Sequence, residues 1–237
     1  MKSDFVFDVD GTLTPSRQSM DPEFKEWFKD FCVNNNVYIV TGSDYGKTQE
    51  QLGDDLLRFV TKSYNCSGNE TWEMGQIINR KEWTPPDDLI VLLNGWLQAS
   101  KFPARMGQHI EYRTGMINFS VVGRGATLGE RNIYVQYDKE NRERESIAYQ
   151  INSTFDHITA TVGGETGIDI HPTGCDKSQI LKDFDDVKNI IFFGDKTEQD
   201  GNDYPLAKHL GKNAHQVKDW RDTWNKLKEL TYGSTNT

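Results

Sequence analysis

The sequence predicts an α/β protein in which a parallel-sheet core, contributed by both ends of the chain, is interrupted by an inserted α+β domain. Three observations predict it. Short apolar runs alternate with helix-patterned stretches near both termini, the order that builds parallel sheets. Between about residues 84 and 172, strand-like runs instead follow one another through glycine-containing turns, which is α+β patterning. Six of the ten arginines fall in that segment, although the chain as a whole carries a net charge of -9. The expected division is therefore 1–83 plus 173–237 for the core and 84–172 for the insert.

Each element has its own signal. Phe5 to Val9 is a short β-rich run ending in acids. Asp21 to Cys32 sets Phe24, Trp27, Phe28 and Phe31 at i, i+3, i+4 and i+7, one face of a helix. Val37 to Val40 predicts a second strand, closed by Thr41-Gly42-Ser43-Asp44. Ser43 or Asp44 can cap a helix running to about Leu52, which Gly53 stops. In the insert, Asp87 to Ala99 follows Pro85-Pro86 as an amphipathic helix. His109 to Arg113 and Met116 to Val122 read as strands around a Thr114-Gly115 turn. Gly129 to Phe155 reads as one long charged helical stretch. Ile158 to Val162 and Ile168 to His171 are strands around Gly163-Gly164. Asn189 to Phe193 returns to a buried core strand, closed by Gly194-Asp195, and Tyr232 to Thr237 reads as a frayed tail.

Composition excludes several classes. With 27 basic against 36 acidic residues, the chain lacks the basic footprint of a general nucleic-acid binder. No run of 18 apolar residues is present to span a membrane, and no apolar leader follows the N-terminus. Cys32, Cys66 and Cys175 are odd in number and widely spaced, with neither a disulfide framework nor zinc spacing. These features predict a reduced, cytoplasmic protein without nucleic-acid or membrane partners. His109, His157, His171, His209 and His215 show no metal spacing, and Trp72, Trp83, Trp96, Trp220 and Trp224 read as packing residues.

The chemistry concentrates after the first strand, in Phe7-Asp8-Val9-Asp10-Gly11-Thr12. Two carboxylates one residue apart leave the carboxyl end of a buried strand, the edge where open α/β sheets bind ligands. Burying both is costly unless a cation or a reaction needs them. This string resembles the nucleophile loop of the haloacid dehalogenase superfamily of phosphotransferases. Further strings resemble the eukaryotic-type phosphomannomutases: Leu13-Thr14 with Arg17-Gln18, Gly42-Ser43-Asp44 with Gln49-Glu50-Gln51-Leu52-Gly53, and Glu111-Tyr112-Arg113 with Gly115-Met116. So do Gly123-Arg124, Glu130-Arg131, Gly163-Gly164 with Ile168-Asp169-Ile170, and Pro172 and Gly174 with Asp176-Lys177. The last are Phe192-Phe193-Gly194-Asp195-Lys196-Thr197 and Gly201-Asn202-Asp203. The match is collinear from residue 5 to about 208.

The resemblance implies a Rossmannoid parallel-sheet core of haloacid dehalogenase type with an inserted α+β cap of type C2. It implies that Asp8 is the nucleophile that becomes an aspartyl phosphate and Asp10 the general acid and base. Lys177 would pair with Asp8 and the phosphoryl group. Mg²⁺ would be held by the Asp8 carboxylate, the Asp10 backbone carbonyl and Asp195, supported by Asn202 and Asp203. Thr41 or Ser43 would hydrogen-bond the transferring phosphoryl. Arg113, Arg124 and Arg131 would grip the non-reacting phosphate with their guanidinium forks, and Arg17 would lie near the same substrate. Asp169 would bind sugar hydroxyls. The sequence departs from the family at Gly167, where members often carry a serine that contacts phosphate. Thr166, or the backbone amides of Gly163-Gly164 and Gly167, can replace that bond.

The implied activity is interconversion of mannose 6-phosphate and mannose 1-phosphate, with a hexose 1,6-bisphosphate as intermediate and activator. A sugar-phosphate phosphatase is the alternative, differing only in using water as acceptor, and a non-catalytic binding protein is the third. The implied partners are a hexose phosphate and a second copy of the chain, docked through the cap. The first helix region of the insert is slightly shorter than in the family. Trp83-Thr84-Pro85-Pro86 and Pro172-Thr173-Gly174 are the expected hinges.

Overall fold

The computed structural model describes residues 3–232, so all of the expected tail but Tyr232 lies outside the described residues. The chain opens with β1 (Asp4–Phe7), α1 (Pro22–Asn34), β2 (Asn36–Val40), α2 (Tyr45–Leu52) and a short α3 (Asp54–Leu57). Next come β3 (Lys62–Asn65), β4 (Glu70–Glu73) and β5 (Gln76–Arg80). The middle holds α4 (Asp87–Ala99), β6 (Ile110–Arg113), β7 (Met116–Phe119), α5 (Leu128–Asn141), α6 (Glu143–Thr154), β8 (Ile158–Gly163) and β9 (Gly167–Pro172). The chain then returns through β10 (Ile190–Gly194), α7 (Tyr204–Leu210), β11 (Ala214–Gln216) and α8 (Trp220–Tyr232).

Seven strands form one sheet in the order β11-β10-β1-β2-β3-β4-β5. The first five in that order pair in parallel, and β4 and β5 add an antiparallel edge. The expected parallel core is therefore extended by a hairpin that the periodicity does not signal. Its turn, Met74-Gly75, has positive φ at both residues (50° and 74°), the left-handed geometry of a tight hairpin turn. All five residues of β5 are exposed, so no apolar alternation marks it. The second sheet is antiparallel, which suits the predicted α+β patterning, and its order is β6-β7-β9-β8.

Side-chain alternation builds the layers. Phe5, Phe7, Ile39 and Phe193 point to one face of the large sheet and pack with Phe24, Phe28 and Phe31 of α1 and with Trp220 and Leu227 of α8. Val6, Val40, Ile190 and Phe192 point to the other face, against Ile180 and against Leu206 and Leu210 of α7. Each such buried side chain stabilises the fold by about 1.5–3 kcal/mol relative to exposure. The expected α1 stripe is observed, and Asp21 caps the helix by accepting from the amides of Glu23 and Phe24, with Pro22 at its first position. Asp44, rather than Ser43, caps α2, accepting from the Lys47 amide, and Gly53 ends it at φ 79°.

A separate apolar cluster lies over the second sheet. It joins Leu89 and Leu93 of α4, Ile117 and Phe119 of β7, Tyr134 of α5, Ile147 and Ile151 of α6, and Ile168 and Ile170 of β9. The charged stretch expected as one helical run is two helices. Arg142 between them adopts the left-handed conformation (φ 51°, ψ 39°), and its amide closes α5 on the Asp138 carbonyl. The Asp138 carboxylate then accepts from both the backbone and the side chain of Arg144 in the first turn of α6.

Candidate active site

β1 delivers Asp8 to the carboxyl edge of the large sheet, where its amide donates to the Phe193 carbonyl of β10 (3.0 Å). Asp8 is 4% exposed. Its Oδ1 accepts from Lys177 Nζ (2.6 Å) and its Oδ2 from the Thr12 hydroxyl (3.2 Å). Burial raises its pKa well above the usual carboxylate range; Lys177 opposes that shift, and the nearby Asp203 and Asp195 add to it. Lys177 is buried too, which disfavours its charge, but Asp203 and Asp8 outweigh burial and hold the ammonium charged above the ordinary lysine range. Asp10, one residue past the strand's continuation, is held on one oxygen by the Arg17 amide (2.8 Å) and by Gln51 Nε2 (2.9 Å). Two carboxylates thus leave one strand in different surroundings, one clamped by a buried cation and one by neutral donors.

One carboxylate oxygen from each of Asp8, Asp195 and Asp203 lies within 4.8 Å of the others. Burial, then Asp203, pushes Asp195 up to about 7. Two lysines pair with this group, Lys177 with Asp8 and Asp203 at 2.6 Å each and Lys196 with Asp195 at 3.6 Å, which leaves the three carboxylates one negative charge in excess when all are ionised. An all-oxygen donor set with more negative charge than its ammonium groups neutralise fits a hard divalent cation such as Mg²⁺. Gly11 permits this approach: at φ 83°, a Cβ there would stand 2.6 Å from Asp195 Oδ2. Asp203 engages both oxygens within the protein, accepting from Lys177 Nζ and from the Lys196 amide (3.0 Å). Asn202 turns the other way and donates to Asp169 Oδ2 (3.3 Å).

A single cleft is lined by Asp8, Asp10, Arg17, Thr41, Ser43, Arg113, Arg124, Arg131, Gly167, Asp169, Asp195 and Asn202, with Lys177 and Asp203 buried beneath it. The residues expected from both halves of the chain therefore meet in one place. Thr41 and Ser43 both face it, and the Thr41 hydroxyl accepts from the Ser43 amide (3.1 Å).

The four arginines are not alike. Arg113 and Arg124 both bind Glu111 Oε2, and Arg113 also reaches across to the Gly42 carbonyl (2.6 Å). Among the described residues, the Arg131 side chain bonds Glu165 (3.3 Å), and its Nε and Nη1 are buried without a partner. Arg17 likewise buries an unpartnered Nη2. Burial lowers the Arg17 pKa to about 10, and the adjacent Arg131 is the next cause. Leaving such donors unpaired costs free energy, so two neighbouring guanidinium groups with open donors in a cleft point to an anionic ligand.

Several contributors escape sequence reasoning. Asn118 donates to Asp169 Oδ1 (2.8 Å), and its oxygen accepts from Arg124 (3.4 Å). It also explains Gly167, since a Cβ there would lie 2.6 Å from Asn118 Nδ2. Glu111, Gln51 and Thr12 complete the set. Thr12 and Glu111 find partners within four residues, whereas Gln51 and Asn118 bond carboxylates 41 and 51 residues away, which only the fold brings to them.

A profile of the eukaryotic phosphomannomutase family matches residues 24–232. A phosphomannomutase of Saccharomyces cerevisiae is 34% identical over 235 residues, covering 95% of this chain and 92% of the relative. One from Triticum aestivum is 33% identical over 233 residues, covering 95% and 94%. Among solved structures, a Plasmodium falciparum IMP-nucleotidase mutant aligns at a TM-score of 0.67 and 16% identity over 98% of this chain and 68% of that one. A haloacid dehalogenase subclass IIB sugar phosphatase aligns at 0.58 and 12% identity over 97% and 99%. The structural likeness agrees with a haloacid dehalogenase core and cap, and the sequence likeness is specific. The chain belongs to the eukaryotic phosphomannomutase family.

Proposed function

We propose that the chain is a phosphomannomutase that interconverts mannose 6-phosphate and mannose 1-phosphate. The observation that carries this reading is the pair Arg17 and Arg131, which line one cleft with Asp8 and bury donors that have no partner among the described residues. A phosphate held there is not the one being transferred. A mutase needs that second grip because its substrate turns over between two phosphorylated ends.

In this reading Asp8 attacks the phosphoryl group and becomes an aspartyl phosphate, one hard transfer split into two easier ones. Asp10 gives its proton to the departing sugar oxygen and later takes the proton of the attacking hydroxyl. Lys177 holds the Asp8 carboxylate in line, and Thr41 or Ser43 donates to the phosphoryl oxygens. Arg131 and Arg17 hold the remote phosphate, with Arg113 and Arg124 beside it, and Asp169 orients sugar hydroxyls. Asp8, Asp195 and the Asp10 carbonyl would hold Mg²⁺, with Asn202 and Asp203 in support. When bound, the ion neutralises charge on the equatorial phosphoryl oxygens. A hexose 1,6-bisphosphate serves as intermediate and activator. Gly167 contributes backbone rather than a side chain.

Residues 84–172 act as a cap that swings on the linkers at 83–86 and 172–174. Cross-contacts support a closed arrangement, with Arg113 on the Gly42 carbonyl and the Val162 amide on the Asp200 carbonyl (3.2 Å). The cap pairs with a second copy through α4, where Val91 is 71% exposed. The three free cysteines fit a cytoplasmic site of action. No described helix is long and apolar enough to cross a membrane.

The test is a product assay on mannose 1-phosphate with Mg²⁺, with and without catalytic hexose 1,6-bisphosphate. Mannose 6-phosphate that depends on the bisphosphate and outpaces phosphate release is the expected result. Phosphate alone would replace this reading with a phosphatase.

A further inference from the structure

Both linkers between the large sheet and the small one converge on one side chain outside the catalytic set. Gln179 lies in the 3-10 helix Lys177–Asp183, two residues after Lys177. Its Nε2 donates to the Cys175 carbonyl (3.1 Å) at the end of the second linker. Its Oε1 accepts from Lys81 Nζ, two residues before the first linker. The same Nε2 donates to the Ser67 carbonyl (2.7 Å) and to Asn69 Oδ1 (3.2 Å).

The turn it holds is costly to form. Cys66, Ser67 and Gly68 follow one another with φ of 50°, 59° and 91°, and two of the three bear side chains that disfavour that region. The turn is also tied to the site. The Ser67 amide donates to the Thr41 carbonyl (2.8 Å) and the Cys66 amide to the Ser43 carbonyl (2.9 Å). Asn69 in turn donates to the Gly115 carbonyl of the β6–β7 turn (3.3 Å), and its own carbonyl accepts from the Lys81 amide (2.8 Å). One carboxamide therefore joins both linkers, the loop of Thr41 and Ser43, and the helix that carries Lys177.

We propose that Gln179 is the positioning residue that fixes the closed angle of the cap, by clasping both linkers to the turn behind Thr41–Ser43. It touches neither substrate nor reacting atoms. Loss of the clasp lets the linkers open independently, so Arg131 no longer meets Arg17 in register with Asp8 and Lys177. This inference rests on the proposed function for its kinetic part only.

The variants are Gln179→Met, which keeps the bulk that packs at Gly68, and Lys81→Met, which breaks the clasp from the first linker. In the full-length protein, backbone hydrogen exchange should rise about fivefold or more at residues 81–84 and 173–176, the scale of one lost hydrogen bond, and stay unchanged in β10. Turnover of a hexose phosphate should fall by about fivefold or more, whereas hydrolysis of acetyl phosphate, which has no second anionic group, should stay within about twofold. Gln179→Glu, which keeps the Lys81 pairing, should fall between. Unchanged linker exchange would overturn the proposal. So would an equal fall on both substrates, which would make Gln179 a mere support for Lys177. If Gln179→Met does not fold, Lys81→Met carries the same expectations. If the wild-type protein makes no mannose 6-phosphate, the proposed function fails while linker exchange still decides the clasp.

Discussion

Burial governs the residues around Asp8 more than any single contact. Asp195, pushed up to about 7 by burial and by Asp203, is strained by its own charge when no cation is bound. Asp195→Asn should therefore raise the metal-free unfolding midpoint by about 2–4 °C, the effect of about 1 kcal/mol in a chain of this size. It should also abolish the further rise that Mg²⁺ gives the wild type. Calorimetry in EDTA and in Mg²⁺ checks both, and a lower metal-free midpoint would contradict the charge argument. The arginines make a matched pair of tests. Arg131→Ala should weaken hexose phosphate binding by about 1.5–3 kcal/mol, the scale of a charge-assisted hydrogen bond, with little loss of stability, because its donors are open. Arg113→Ala should lower stability as well, since it removes bonds to Glu111 and Gly42. Titration calorimetry with mannose 1-phosphate and thermal unfolding separate the two, and equal stability losses would sink the distinction.

Legibility at this scale depended on strand ends. Asp8, Asp10 and Asp195 were readable because each follows an apolar run, and an acid there is anomalous on sequence alone. Asn118 and Glu111 were not, because an amide or an acid within a β-hairpin is ordinary until its partner across the fold is known.

At the scale of elements, patterning found what one buried face defines. The α1 stripe is such a case; β7 and β9 show instead as short apolar runs because they are buried on both faces. Patterning gives no signal for α3, β3 or the hairpin strands β4 and β5, of which β5 buries nothing, or for α7, β11 and α8. It also merged α5 with α6, because helical charge patterning runs through Arg142 and nothing in the sequence marks a left-handed residue there. That junction is testable. Arg142→Gly removes the left-handed strain and should stabilise the protein by about 0.5–1 kcal/mol after the entropy of glycine is counted. Thr127→Ala removes the capping box that Thr127 and Glu130 form at the start of α5 and should cost about 1 kcal/mol. Urea unfolding measures both, and a destabilised Arg142→Gly variant would mean that the Arg142–Glu145 pair outweighs the strain.

At the scale of the molecule, one topological fact organises the site. A chain that leaves the large sheet after β5 and returns before β10 can bring a second wall over the carboxyl edge of the first. Asp8 and Lys177, 169 residues apart, are bonded at 2.6 Å on one wall, while Arg131 stands on the other. Neither wall alone makes a mutase site. In the proposed reading the core wall accepts the phosphoryl group, and the cap wall holds a phosphate without reacting with it. The central claim is that the phosphoryl group on Asp8 is passed to a sugar rather than to water. Its most direct measurement is a pulse–chase with hexose 1,6-bisphosphate labelled at one phosphate. Label should appear on the protein in a hydroxylamine-sensitive form, be absent from Asp8→Asn, and move into hexose bisphosphate when unlabelled mannose 1-phosphate is added. Label released chiefly as inorganic phosphate during the chase would contradict the account.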